Sequence, residues 1–231
     1  MAFQGYTQET VDFMWGIRFN NERGWFLEHK DDYINTFLTP TKELGEQVYD
    51  AVHALLPDEP LMLKVSRIYR DARRLFGRGP YKDHLWWCIR TGDKDWTGRP
   101  TFWFELGPDY YSFGLGFWSP AAALMETYRK QIDQHPEELS KLVRQFNKQS
   151  VFTLDGPEYA RSKGQTSDLL RPWYQKKSLS LRWEGPLDER IFTSDLAEDI
   201  IAGFKTLIPF YHYFNKLVAL TPRQERRGED A

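Results

Sequence analysis

The sequence has little cysteine, with Cys88 alone among 231 residues. A single thiol can form neither an internal disulfide nor a zinc site built from several cysteines. Cys88 lies in the run HLWWCIR, whose aromatic and β-branched residues are typical of a strand. Because free cysteines are among the most buried residues of folded proteins, we predict that Cys88 is a buried structural thiol.

The sequence also lacks a long apolar run and a strong net charge. No stretch approaches the roughly 20 apolar residues that span a bilayer, and the N-terminal residues lack the basic-then-apolar order of a signal peptide. The formal net charge is −2, so any affinity for anions must be local rather than a property of the whole chain. We therefore expect a cytoplasmic protein with no membrane partner.

Common sequence motifs of catalysis are absent as well. None of the five histidines belongs to a His-Glu-x-x-His metal motif, and there is no Gly-x-Ser-x-Gly elbow or Walker loop. Gly114-Leu115-Gly116 is a lone Gly-x-Gly without a βαβ unit around it, which favours a strand thinned by glycine over a nucleotide site. The sequence therefore predicts no metal and no cofactor, and it indicates no particular reaction.

Aromatic residues, in contrast, are abundant. They make up 16% of the chain and include nine tryptophans, which is enough to build a sizeable core. In the strand-like runs LWW and FWF, alternation favours core positions for most of the rings. Trp86 and Trp103 are the exceptions, since they could lie on the other face of a sheet and stack bases there.

The order of the patterns predicts an α+β protein. Helical stripes follow Thr7 and run to Pro57. Short strand-like runs with tight turns between them then predict a central antiparallel β-meander. The runs are KVSRIYRD, KDHLWWCIR, PTFWFEL and YYSFGLGFW.

Further helices are predicted after the meander, packed on one face of the sheet. They begin at Ser119-Pro120, at Pro136 and near Ser194, and Pro209 should kink or break the last one. The strand-like run SLSLRW precedes the last helix. We predict one domain over residues 1–220 and a disordered polar tail over residues 221–231.

Positive charge is concentrated in one region. Residues 67–84, RIYRDARRLFGRGPYKDH, carry six Arg or Lys residues, two aspartates and one histidine. We predict a β-hairpin with arms at residues 67–71 and 82–88 and a turn near Phe76-Gly77.

The predicted register of this hairpin places its polar groups on one face. Asp71 would lie opposite Lys82 as an ion pair, and Tyr69 would lie opposite His84. Arg67 would lie opposite Trp86 as a cation–π pair. A slip of one residue would move the histidine to the other face.

Such a cluster predicts a site for a small ligand that carries phosphate or carboxylate. Its basic groups would be Arg67, Arg70, Arg73 and Lys82. Asp71 would orient these groups, and Tyr81 and His84 would supply polar contacts. If there is catalysis, His84 and Asp71 would carry it. The helix N-terminus at residues 119–122 would add backbone donors.

Three other interpretations stay open. An antiparallel sheet commonly exposes one charged face to water, without any site. A nucleic-acid-binding protein would use the same basic residues with Trp86 or Trp103 stacking bases, and its affinity would fall steeply with salt. A protein–protein interaction module without chemistry would instead expose one contiguous aromatic patch.

Three stretches of the sequence resemble a family of conserved hypothetical proteins, domain of unknown function 2461 (DUF2461). NNERGWFLEHKDDY at residues 20–33 is similar to the family's Asn-Asn-x-Arg-x-Trp-Phe. RDARRLFGRGPYK at residues 70–82 is similar to its Arg-Asp-x-Arg-Phe followed by Pro-Tyr-Lys, although Arg74 replaces the usual Phe and Gly77 a common acid. GFWSP at residues 116–120 is a looser match.

The resemblance implies a compact α+β protein and brings no activity with it. It adds two candidate ligand-binding residues. Arg23 lies in the first matched stretch and Arg129 lies beyond the third. If they belong to the predicted anion site, these arginines should line one pocket together with the hairpin.

Overall fold

A six-stranded sheet is the centre of the computed structural model, which describes residues 2–222 apart from the side chain of Arg74. The strands lie in the order β1-β2-β3-β4-β6-β5, and every neighbouring pair is antiparallel. Their bounds are β1 Leu61–Val65, β2 Leu85–Thr91, β3 Pro100–Leu106, β4 Tyr110–Phe117, β5 Thr153–Asp155 and β6 Ser180–Pro186. The predicted α+β class and central meander are confirmed.

Helices lie before, between and after the strands. Their bounds are α1 Gln8–Phe19, α2 Arg23–Glu28, α3 Lys30–Asp32, α4 Thr39–Leu55, α5 Ala122–Gln134, α6 Pro136–Phe146, α7 Arg171–Tyr174 and α8 Asp195–Leu220. A π-helical segment, Tyr33–Leu38, joins α3 to α4. As predicted, Thr7 is the N-cap of α1 and Pro136 opens α6.

Helices α4 and α8 pack on one face of the sheet, here called the covered face. The ring of Phe204 in α8 lies 4.8 Å from Phe102 and 6.4 Å from Trp87, centroid to centroid. In α4, Gly45 allows close approach, because a Cβ there would lie 3.3 Å from Trp87 and Leu63. The prediction that helices pack on one face is confirmed.

The predicted break at Pro209 does not occur, and one predicted strand bound is wrong. Helix α8 continues through Pro209, because buried side chains on both sides of the proline hold it against the sheet despite a cost of about 3 kcal/mol, so only a kink there stays a prediction. The first strand is Leu61–Val65 rather than residues 64–71, because the chain leaves the regular ladder after Val65.

Some features were missed or lie outside the structure. Strand β5 is only three residues long and pairs at the edge of the sheet, so its sequence carries almost no pattern. The predicted tail lies outside the described residues from residue 223 onward. Within residues 2–222, no helix combines the length and the apolar character needed to cross a bilayer.

Candidate ligand-binding groove

The charged hairpin forms, but its predicted register is wrong. Tyr69 pairs with Tyr81 rather than with His84, and the Lys82 amide donates to the carbonyl of Ile68 at 2.7 Å. The sheet proper pairs Val65 with Trp87. Relative to the predicted register, the partner is shifted by one residue at Val65 and by three at Tyr69, and a shift by an odd number moves the side chains of the second arm to the other face.

The tip of the hairpin is a short 3₁₀ turn. Asp71 caps this turn by accepting from the amide of Arg73 at 3.0 Å, and it also pairs with the Arg73 guanidinium at 2.8 Å. The Arg73 side chain is 86% exposed. The predicted pair of Asp71 with Lys82 and the predicted contact of Arg67 with Trp86 are replaced by other partners, because of the changed register.

Two of the three stretches that resemble the family, residues 20–33 and 70–82, meet at the base of the hairpin. Asn21 donates to the carbonyl of Tyr81 at 2.9 Å and accepts from its amide at 2.9 Å. Arg70 Nε donates to the same carbonyl at 2.7 Å. Gly79 is required there, because a Cβ would lie 2.2 Å from the Asn21 side chain.

These contacts use groups that were predicted to bind a ligand. The Tyr81 ring is buried and stacks on Phe26 with centroids 4.3 Å apart. Arg70 holds a main-chain carbonyl and has little exposed surface. Arg67 and Arg23 are exposed. Ligand binding by these four residues stays a prediction.

His84 has a different acidic partner from the one predicted. Asp83 lies 3.0 Å from His84 Nδ1 and accepts from Arg18 Nε at 2.6 Å. Arg18 also donates to Asp109 at 2.5 Å, which ties helix α1 to the turn between β3 and β4. The hydrogen bonds from His84 and Arg18 hold the pKa of Asp83 well below its usual range. The cluster fixes the arm that carries His84.

Two predicted contributors lie elsewhere. Arg129, on α5, contacts the ring of Tyr159 at 5.1 Å. The N-terminus of α5 follows the end of β4, whereas the residue across from Trp86 and Glu105 is Ser112 near the start of that strand. Five residues of strand separate Ser112 from that end, or roughly 17 Å, so the helix N-terminus lies at the other end of the sheet from Lys82.

The other face of the sheet carries a groove that the sequence analysis did not predict as a site. Alternate residues point away from α4 and α8, and they form an open cavity of about 400 Å³. We call it the tryptophan groove, after the four tryptophans that line it: Trp86, Trp96, Trp103 and Trp118. The possibility that Trp86 and Trp103 lie on the face opposite the core is confirmed.

Each of three tryptophans of the groove has a cation over its ring. Lys82 Nζ lies 5.7 Å from the Trp86 ring centre, and Arg90 lies 4.6 Å from that of Trp96. The third pair is Arg182 over Trp103 at 5.9 Å. Cations placed on aromatic faces are partly desolvated and held in position.

These cations differ in how their charge is balanced. Arg182 pairs with Asp155 at 3.6 Å and with Glu184. Within residues 2–222, neither Lys82 nor Arg90 forms an ion pair with a carboxylate. Burial, and after it the charge of Arg70, lowers the pKa of Lys82 to about 8.

The acidic group of Glu105 lies near Lys82 and partly opposes the lowering of its pKa. Tyr110 donates a hydrogen bond to Glu105, which lines the groove. Burial and this bond raise the pKa of Tyr110 above its ordinary value, so the phenol stays protonated and keeps the Glu105 carboxylate in place. Glu105 therefore presents an oriented acceptor to the groove.

The glycines of the Gly-x-Gly pattern lie in the strand that forms the floor of the groove. Gly114 and Gly116 lie inside β4, and a Cβ on Gly114 would lie 2.2 Å from the carbonyl oxygen of Leu181 in β6. Strand packing therefore requires glycine, which confirms the interpretation as a thinned strand. Cys88 also lines the groove and is buried as predicted, and burial raises the pKa of its thiol to about 11.

The sequence held one usable signal for this groove. Trp86, Trp103 and the two β4 glycines share one strand face under simple alternation. Trp96, Trp118 and Arg182 come from turns and from a strand distant in sequence, so their convergence depends on tertiary structure. Within the described residues, no group of three or more His, Cys, Asp or Glu side chains is placed to hold a metal ion.

Comparison with known proteins agrees with the motifs at the hairpin base. The family model described as conserved hypothetical protein (DUF2461) matches residues 9–213. This range includes the hairpin, the groove and most of α8. A search of curated proteins finds no match to the chain.

Proposed function

We propose that this chain, which belongs to the DUF2461 family of conserved hypothetical proteins, binds a small ligand in the tryptophan groove. The ligand would have a planar ring and an anionic phosphate or carboxylate group. The proposal keeps the small anion predicted from the basic hairpin and moves its site to the open face of the sheet. Lys82 belongs to both predictions, because it lies over the ring of Trp86, which lines the groove.

The shape of the groove supports a planar ligand. Its volume of about 400 Å³ lies within the range of roughly 300–1,000 Å³ that is typical of small-molecule sites. Partly exposed Trp86 and Trp103 line it, and Gly116 leaves the floor free of a side chain. Stacking of a planar ring on an aromatic side chain stabilises a complex by about 1–3 kcal/mol.

The charge of Lys82, which forms no ion pair among the described residues, is the observation that carries the proposal. The side chain is half-buried and lies over Trp86, with Arg70 and Arg67 as positive neighbours and Glu105 as a negative neighbour. A cation that is desolvated in this way and has no ion pair among the described residues gains from an added anion. Arg90 offers a second such cation on the same face.

The acids of the groove favour a small ligand over a nucleic acid. Glu105 and Asp155 line the same cavity as the tryptophans. Carboxylates repel a polyphosphate backbone, whereas they accept hydrogen bonds from hydroxyl or amino groups of a compact ligand. The tip arginine Arg73 is already paired with Asp71.

Calorimetric titration with matched probes tests the proposal. AMP and benzoate carry a ring and an anionic group, and adenosine and benzamide are their neutral analogues. We expect at least one anionic probe to bind at least about tenfold more tightly than its neutral analogue. The variant Lys82→Gln should lose this preference, and Lys30→Gln, which removes an exposed lysine on helix α3, should keep it.

Two further variants separate the possible outcomes. Trp103→Ala should weaken binding of both analogues, and Trp15→Ala on helix α1 should not. A single-stranded oligonucleotide that binds at low salt, with an affinity that falls steeply as salt rises, would favour the nucleic-acid alternative. No preference for the anionic probes in the natural chain, or a preference that survives Lys82→Gln, would refute the proposal.

A further inference from the structure

A second group of cations surrounds a single aromatic ring, that of Tyr159, which is not among the residues that line the groove. The Tyr159 ring centre lies 4.3 Å from Lys163 Nζ and 5.5 Å from Lys177 Nζ. The guanidinium of Arg129 lies 5.1 Å from the same centre. One cation comes from α5, one from the loop after Tyr159 and one from the segment before β6, so the fold brings them together.

The charges in this group are not balanced by acids. Among residues 2–222, none of the three cations forms an ion pair. Two acids on the neighbouring segments have other partners, since Asp133 accepts from the Tyr174 hydroxyl at 3.1 Å and Glu158 pairs with Lys176 at 2.9 Å. A phenol ring attracts cations only weakly at an exposed site, by about 0.5–1 kcal/mol each.

The guanidinium of Arg129 gives an independent indication. Its Nη1 atom is shielded from solvent and has no hydrogen-bond acceptor. A charged donor without an acceptor is costly to bury. Three cations lie within 5.5 Å of one ring centre, and one of them has an unused donor, so an anion bound among them would be stabilised.

We infer that the cluster of Arg129, Lys163 and Lys177 around Tyr159 binds a phosphate group. Two flexible lysines bind phosphate as point charges, and an arginine can present two parallel N–H groups to its oxygens. Several cations from separate segments favour an anion with more than one negative charge, which phosphate provides and a carboxylate does not. The site does not depend on the proposed function of the groove.

The full chain can be tested with inorganic phosphate and with glycerol 3-phosphate, which represent free phosphate and a phosphate ester. Calorimetric titrations at low salt should show binding of at least one of them. The double variant Lys163→Gln/Lys177→Gln should weaken it at least about tenfold. Lys30→Gln/Lys205→Gln removes the same charge from exposed positions elsewhere and should leave the affinity unchanged.

Further variants keep the result specific. Lys163→Arg/Lys177→Arg retains the charge and should retain binding, which controls for a folding defect in the glutamine variant. Lys82→Gln should leave phosphate affinity unchanged, and a loss as large as that of Lys163→Gln/Lys177→Gln would overturn the inference. Absence of phosphate binding by the natural chain, or equal loss in the two glutamine double variants, would overturn the inference.

Discussion

The two faces of the sheet are built from the same strands and similar side chains, but one face is packed in the core and the other is partly exposed. On the covered face, Trp87, Phe102 and Phe104 have no exposed surface and contact one another or α8. On the open face, Trp86 and Trp103 keep partial exposure and each has a cation over its ring. Adjacent tryptophans in one strand therefore serve stability and, as we propose, binding.

This difference teaches that residue type alone does not separate core from site. Alternation assigns side chains to two faces, and the helices then decide which face is removed from water. Binding function is expected where aromatic and charged groups remain together on the uncovered face.

The largest expected effect is on the stability of the covered face. Trp87→Ala should lower the free energy of unfolding by about 3–5 kcal/mol, because it leaves a large cavity under α4 and α8. Trp103→Ala should lower it by less than about 2 kcal/mol and mainly impair binding. Urea unfolding of both variants measures these decreases in the free energy of unfolding. Equal decreases would contradict the distinction between the covered face and the open face.

A smaller effect is expected at Asp83, which joins the hairpin arm to α1. Asp83→Asn should lower the free energy of unfolding at pH 7 by about 2 kcal/mol, since charge-assisted hydrogen bonds to Arg18 are weakened. The folded-state pKa of Asp83 is lowered, so its contribution is full above the unfolded-state pKa of about 3.9 and is lost as pH falls below it. Urea unfolding at pH 7 and pH 3 should show that the free energy of unfolding depends less on pH in Asp83→Asn than in the natural chain. Equal pH dependence in the two proteins would contradict this prediction.

The pH dependence of binding sharpens the role of Lys82. With a pKa of about 8, the ammonium is mostly protonated at pH 7 and mostly neutral at pH 9. Affinity for benzoate, whose own charge is constant in this interval, should therefore fall by about tenfold. Titrations of Lys82→Gln should show no such fall, and a natural chain with constant affinity would place the anion away from this lysine.

The smallest effect is expected at the hairpin tip. Arg73→Gln breaks an exposed ion pair with Asp71 and should change the free energy of unfolding by less than about 0.5 kcal/mol. It should leave affinity for the groove probes unchanged. A loss of affinity comparable to that of Lys82→Gln would return the site to the basic hairpin.

Much of the fold could be predicted from the sequence because its signals are local. Alternation defined the meander, and Thr7 and Pro136 marked helix starts. The helix does not end at Pro209, because burial along α8 outweighs the local cost of a proline. The edge strand β5 was missed because three residues have no period to detect.

The site was harder to predict because it depends on register and on distant segments. The partners of Val65 and Tyr69 are shifted by one and by three residues from the predicted register, and nothing in the sequence specifies that shift. Arg129, which follows the third stretch that resembles the family, lies against Tyr159 rather than at the hairpin. Sequence could identify basic and aromatic residues, whereas only the folded chain determines which of them converge.

A crystal structure of the chain with the tightest-binding anionic probe tests the central claim most directly. The account predicts the ring of the probe in the tryptophan groove, in contact with Trp86 or Trp103, and its anionic group within ion-pair distance of Lys82 or Arg90. A probe bound at Arg73 and the hairpin tip, with the groove left empty, would contradict it.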